Sequence, residues 1–441
     1  MRNTGVIWIG HQDYLCENTS AVQRAVFDSI RDIPFFYAQK NPIAVSEAEA
    51  SAAVRTILNQ QDCCGALIIL TTWVECSVAM AALKELRGRP CMFWGFPLEE
   101  AEGRRESTGS YVSASMFAGV IKRLGLPYPT LYASWKDPAA KKAIVQFSRA
   151  AGAADALFYA KIGLFGYTSM SIYTGTFDHV LMRYRIGPEI DHMDTFSLIQ
   201  RAEAVSDTEA AQAQERLLQL ACCHENVQPQ VLKKTMALYV ALRQLCQERG
   251  WEAVNVKCQY ELSKEYKLRP CVALSLLAED GIVTSCEGDI PNTVSMLLLQ
   301  YLSSQEVWYG DSLTHWDNTL QFSPCGFLPL SMAKDKPRIL SFHGHPGFHG
   351  LQACGVLRPE KITWLRLVED IGSYHLIYGT GTGIETAPRG GNMPALNVVL
   401  DGDIQQLCQE YAGQHFAVTY GDWSQEISMF ATLMGLEARR I

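Results

Sequence analysis

The chain has 441 residues, of which 48% are hydrophobic and 19% charged, and a formal net charge of −8. That length exceeds one ordinary hydrophobic core, so two or three domains are expected. The acidic balance and the absence of a long basic run argue against nucleic acid and anionic membranes as partners, and no stretch approaches the ~18 apolar residues of a membrane span.

The apolar part of Met1–Gly10 is too short for a signal peptide and reads as a first strand, which predicts a cytoplasmic protein. The 14 cysteines are scattered and include no C-x-x-C, so reduced, mostly buried thiols are expected rather than disulfides or structural zinc. Gly65–Leu70 and Pro90–Gly95 are further strand-length apolar runs. Between strands, Ser46–Gln60 reads as a helix, opened by Ser46 with Glu49 at the capping-box spacing. Ser113–Leu124 reads as another, stopped by Gly125. This alternation predicts a parallel α/β sheet. Ser107-Thr108-Gly109-Ser110 is a polar loop at a helix start, suited to that role or to a sugar hydroxyl or a subunit contact.

The pattern restarts at Lys161–Gly166, which places a domain boundary near residue 160. Thr195 to about Arg249 is helix-rich, Trp251–Lys257 gives a strand, and Glu261–Glu279 gives helices interrupted at Pro270. Beyond residue 325, runs such as Ile362–Val368 and Tyr374–Gly379 predict a β-rich region, closed by a helix from about Ser424 to Gly435. The expected architecture is α/β: two parallel-sheet domains, 1–160 and 161–305, followed by a β-rich C-terminal domain, 306–441.

Two acidic turns carry the chemistry. Gly281–Ser285 runs into Cys286-Glu287-Gly288-Asp289, and Val307-Trp308-Tyr309 runs into Gly310-Asp311. Between them, Val294, Leu297, Leu298 and Leu302 recur at helical spacing. Strand, turn, helix, strand, turn places Glu287 and Asp311 at the carboxyl ends of nearby strands, where parallel sheets put their ligands. Two such oxygens suit a hard divalent ion such as Mn²⁺ or Mg²⁺; acids that merely cap the following segments are the alternative.

Several ordered blocks resemble the L-fucose/L-arabinose isomerase family, on its fucose-isomerase side. They are Asn255–Leu262, Cys286–Ile290, Tyr309-Gly310-Asp311, Asp317-Asn318, Cys325-Gly326 and Gly413-Gln414-His415-Phe416. Looser similarity covers Gly163–Asp178, Gly187-Pro188-Glu189 and Ile362–Leu367, so the resemblance spans about residues 160 to 436. It implies a metal-dependent aldose–ketose isomerase of an unphosphorylated sugar, L-fucose- or D-arabinose-like, working through a cis-enediol. Glu287, Asp311 and His415 would bind Mn²⁺ or another divalent ion such as Mg²⁺ or Co²⁺, and Glu287 and Asp311 would share the acid and base work. A hexameric homo-oligomer whose subunits share pockets is implied as well. The arabinose-isomerase branch has an extra histidine near the Cys-Gly block, whereas Gln321–Gly326 has none, which favours a three-residue site. A sugar-binding protein without turnover and a metal-dependent ketose carbon–carbon lyase remain alternatives on the same scaffold.

Other clusters compete. His343, His345 and His349 lie in a Gly- and Pro-rich setting and read as pocket lining before metal ligands. Gly379-Thr380-Gly381-Thr382-Gly383 lacks a following helix, so it fails as a phosphate loop and is expected to form hairpin turns. Arg389 is placed to reach an anionic substituent on a substrate. Trp8, Trp73 and Trp94 are expected in the core, and His11 as a satisfied surface histidine.

Overall fold

The structure, a computed structural model, describes residues 2–33, 36–37, 42–60, 62–97, 99–101, 104–342 and 347–441. Its contacts group into two compact units: Met1–Ala156 with Gln425–Leu436, and Leu157–Ser424 with Glu437–Ile441. The parts expected as second and third domains, 161–305 and 306–441, thus lie in the second unit apart from the stretch 425–436. Among the described residues, no helix is long and apolar enough to cross a membrane.

The first unit is built on parallel strands. β1 (Asn3–Ile9), β2 (Phe36–Tyr37), β3 (Cys63–Leu70) and β4 (Cys91–Gly95) come first. A hairpin of β5 (Glu99–Ala101) and β6 (Arg104–Glu106) intervenes before β7 (Thr130–Tyr132), and the sheet order is β2-β1-β3-β4-β7. Continuous burial along β3 is what a parallel strand with both faces covered requires. Ile7, Ile68 and Phe93 of the sheet form one core with Val54 and Ile57 of helix Glu47–Leu58 and with Phe117 of helix Ser110–Arg123. Trp8 and Trp94 are buried, Trp73 is half-buried, and His11 is half-buried and pairs with Glu75 at 3.2 Å. The Ser107–Ser110 loop starts a helix: Gly109 is its N-cap, and Ser110 Oγ accepts from the Phe96 amide at 2.9 Å.

In the second unit, β8 (Lys161–Phe165) and β9 (Glu189–Met193) pair in parallel. Helices Thr195–Glu203 and Asp207–Leu220, the two-residue β10 (Cys222–Cys223) and helix Pro229–Arg249 lead to β11 (Ala253–Val256) and β12 (Val283–Cys286). These complete a parallel sheet of order β12-β11-β8-β9. The stretch expected as helices broken at Pro270 is a π-helical turn, Glu261–Glu265, followed by an α-helix, Cys271–Ala278.

From here the sheet grammar changes. β13 (Trp308–Trp316), β14 (Thr319–Phe322), β17 (Lys361–Asp370), β18 (Ser373–Ile384), β19 (Leu396–Leu400) and β20 (His415–Tyr420) run β17-β20-β13-β14-β19-β18, and β18 pairs back onto β17. The result is a closed antiparallel barrel, with β21 (Glu437–Arg440) parallel to β18 at its side. In chain order β15 (Arg338–Ser341) and β16 (Leu351–Cys354) fall between β14 and β17, and with β10 they form a separate small sheet. Closure removes the open edges of an antiparallel sheet. The expectation of hairpin turns at Gly379–Gly383 is corrected: these residues lie inside β18. Their glycines admit neighbours, since a Cβ at Gly379 would stand 2.4 Å from the Trp364 ring and one at Gly381 2.5 Å from Val398.

Candidate active site

The site lies in the second unit, where the turns after β11 and β12 face the start of β20. β12 ends at Cys286, and the chain then turns through Glu287 (φ +69°) and Gly288 (φ +74°). A Cβ at Gly288 would stand 2.5 Å from the Thr168 and Tyr167 backbone, so only glycine fits this turn. Buried Asn255 braces it. Its carboxamide donates to Ser285 Oγ at 2.9 Å and Thr293 Oγ1 at 3.0 Å, and accepts from the Gly288 amide at 2.8 Å. Asp289 then caps helix Ile290–Ser303, accepting from the Asn292 amide at 3.0 Å.

Asp311 departs from expectation. It does not close a strand of the parallel sheet; it lies within β13, in the antiparallel barrel, directly opposite His415 of β20. The strand continues past Gly310-Asp311 because β14 pairs with it on the other side. Residues facing each other across such a ladder have side chains within reach. The three expected site residues meet there: His415 Nε2 is 3.4 Å from Glu287 Oε2 and 3.3 Å from Asp311 Oδ1.

Behind them stand residues that sequence reasoning did not assign. Asp289 Oδ2 is 2.9 Å from His415 Nδ1 and accepts from Arg366 Nη1 at 3.0 Å. Arg366 is fully buried and also donates to the carbonyls of His415 and Thr174 at 2.9 and 2.7 Å. A Cβ at Gly413 would stand 2.4 Å from that guanidinium, so the glycine two residues before His415 makes room for it. Burial alone would raise the Asp289 carboxyl, but the charges of Arg366 and His415 outweigh it and bring it down to about 2. An ionised Asp289 fixes the ring orientation of His415 and presents Nε2 to the two acids. The signal for this layer was present in the sequence: an arginine inside the apolar run Ile362–Val368 needs a carboxylate partner. Gln259 completes the support, donating from Nε2 to Glu287 Oε1 at 2.7 Å.

The donor set suits a divalent cation. Burial works against charge on both Glu287 and His415, yet Glu287 lies below the usual carboxylate range, owing to His415, Gln259 and Arg269. His415 lies well above its ordinary value because Asp289, Asp311 and Glu287 surround it. Three carboxylates around one imidazole favour positive charge, which an oxygen-and-nitrogen-bound divalent ion would provide. Among the described residues, buried Gln259 Oε1 also lacks a hydrogen-bond partner. Among the described residues, the His, Cys, Asp and Glu donors that all lie within 4.8 Å of one another are Cys258, Cys286 and Glu287, a group the sequence did not suggest.

Glu287, 13% exposed, and Asp311, 28% exposed, line a cavity of about 720 Å³. Arg269, Lys264 and Arg389 line it too, and among the described residues no carboxylate forms a salt bridge with any of them. Arg269 is 4% exposed, with its guanidinium carbon 3.8 Å from the Phe342 ring centroid, while among the described residues its Nε has no hydrogen-bond partner. Arg389, placed by sequence near an anionic group, lies against the Met393 sulfur. His349 is exposed and its amide donates to the Ser263 carbonyl; His343 and His345 lie outside the described residues.

No family model matches the chain. Curated relatives do. A sulfoquinovose isomerase of Alkalicoccus urumqiensis is 22% identical over 363 residues, 79% of each chain. One of Clostridium sp. (strain MSTE9) is 22% identical over 387 residues, 85% of this chain and 86% of its own. One of Priestia aryabhattai is 20% identical over 375 residues, 82% of each. This likeness makes the chain an aldose–ketose isomerase, an intramolecular oxidoreductase.

Proposed function

We propose that this isomerase acts on a sugar carrying a sulfonate or similar anionic group, with a divalent ion, Mn²⁺ first among candidates, held by Glu287, Asp311 and His415. The carrying observation is the cavity lining: two carboxylates suited to metal and proton work share it with Arg269, Lys264 and Arg389. A neutral sugar such as L-fucose or D-arabinose gives these cations no anionic partner, and leaving the buried Arg269 guanidinium without one is costly. A sulfonate satisfies Arg269, and the relatives are sulfoquinovose isomerases. The looser kinship to the fucose-isomerase family rests on the blocks around Glu287, Asp311 and His415.

A bound ion would supply Lewis acidity at the sugar carbonyl and a template for its oxygens. The chain does the rest. Asp289 keeps His415 Nε2 aimed at the two acids, and Gln259 holds one oxygen of Glu287. Glu287 and Asp311 divide the removal of the C2 proton and its return at C1. Arg269, stacked on Phe342, anchors the anionic end, so that C1 and C2 reach the carboxylates.

The test is initial rates in Mn²⁺ on sulfoquinovose, glucose 6-phosphate, D-glucose, L-fucose and D-arabinose, for wild type and Arg269→Ala. We expect sulfoquinovose to lead in kcat/KM, and Arg269→Ala to lose about 30-fold on it, the ~2 kcal/mol of a charge-assisted hydrogen bond. Equal or faster turnover of L-fucose or D-arabinose by wild type would overturn the anionic reading in favour of the neutral one.

A further inference from the structure

Cys258, Cys286 and Glu287 make a second donor set that shares Glu287 with the one above. Cys286 is the last residue of β12 and pairs in register with Val256, the last of β11; Cys258 follows two residues later. The two sulfurs and a Glu287 oxygen all lie within 4.8 Å of one another. Both cysteines are buried, while Cys258 and Glu287 line the cavity, so an ion can approach from there. Two sulfurs and one carboxylate would leave a fourth tetrahedral position open to a bound cation. Cys286 Sγ is also 2.8 Å from the Tyr309 hydroxyl, a contact that steadies the sulfur. The Cys258 sulfur, burial and Glu287 push the Cys286 thiol well above its ordinary value, so a cation that binds there displaces its proton.

We propose that Cys258, Cys286 and Glu287 form a second metal site, selective for a thiophilic divalent cation such as Zn²⁺ or Cd²⁺. Binding releases two thiol protons and places the cation on two thiolates and one carboxylate, with no redox change. The site takes Glu287 away from the first, so a soft metal occupying it excludes the hard one and silences the isomerase. That exclusion rests on the reading of Glu287 as an Mn²⁺ ligand; the soft-metal site does not.

The probe is Cd²⁺, titrated into the reduced, chelator-treated full chain and followed by the ultraviolet thiolate-to-cadmium charge-transfer band. We expect wild type to bind Cd²⁺ at least about tenfold more tightly than Cys258→Ser, Cys258→Ala or Glu287→Gln. The charge-transfer amplitude should fall in both Cys258 variants. Unchanged affinity and amplitude in both Cys258 variants would assign the band to other cysteines and overturn the site. Co²⁺ on wild type needs no variant: thiolate-to-cobalt bands support the proposal, and a spectrum with oxygen and nitrogen donors alone overturns it. Free Mn²⁺, read by electron paramagnetic resonance, should rise as Cd²⁺ fills wild type, but not at the same Cd²⁺ in Cys258→Ser. Failure of wild type to bind Mn²⁺ with the sulfur bands intact would sink the hard-ion reading and leave the soft site standing.

Discussion

The parallel sheet and the barrel of the second unit deliver their acids to the site by opposite means. Glu287 stands beyond the end of β12, on a turn that needs two consecutive positive-φ residues and a glycine packed against Thr168. Asp311 and His415 stand inside a ladder, opposite each other, and their meeting is fixed by the register of β13 with β20. A turn can aim one carboxylate sharply but depends on a few residues with no substitute. In the closed barrel both strands are also held from their other sides, β13 by β14 and β20 by β17, so their register does not hang on one residue. The contrast places the fragile point of the site on the β12 turn and the tolerant one in the barrel.

The largest expected effect treats the two halves alike. Glu287→Gln and Asp311→Asn should each lower kcat by about a thousandfold with the fold retained, the scale of losing a positioned acid or base. Mn²⁺ affinity, measured by equilibrium titration, should fall in the same variants; wild-type turnover in either would remove that residue from the assignment. Next, the turn should break where the barrel would not. Gly288→Ala forces a Cβ to 2.5 Å from backbone at φ +74°. Strain and overpacking together should cost about 3 kcal/mol in chemical denaturation. A loss below about 1 kcal/mol would mean the turn relaxes freely, within the range of an ordinary surface change.

The smallest effect tests the link between the halves. Asp289 belongs to the turn but orients the barrel's His415. Asp289→Asn should weaken Mn²⁺ binding by about 10- to 100-fold while leaving Glu287 and Asp311 in place, the usual cost of losing a ligand's orienting partner. Its circular dichroism should match wild type. Unchanged Mn²⁺ affinity would show that the ladder alone positions the imidazole.

Much of the fold was legible in the sequence because its signals are local. The strands at Thr4–Gly10 and Gly65–Leu70 announce themselves by continuous apolarity, and the Ser46 cap by its spacing to Glu49. In the structure the Ser46 hydroxyl accepts from the Glu49 amide at 3.3 Å. The closing helix, read as about Ser424 to Gly435, spans Ser424–Met434. The glycine run of β18 misled, since alternating Gly and Thr carry turn chemistry by composition. In the barrel those glycines instead make room for Trp364 and Val398 on neighbouring strands.

The sequence by itself determined that Glu287 follows a β-strand, because hydrophobic runs and turn residues act over a few positions. It also carried the resemblance that singled out His415. Only the tertiary structure decided that Asp311 faces His415 across an antiparallel ladder, that Asp289 and Arg366 stand behind the imidazole, and that Arg269, Lys264 and Arg389 share a cavity with the carboxylates. Those pairings join residues far apart in the chain, Asp289 to Arg366 and Asp311 to His415. Strand register and barrel closure set them, and both are properties of the whole chain that no local pattern encodes.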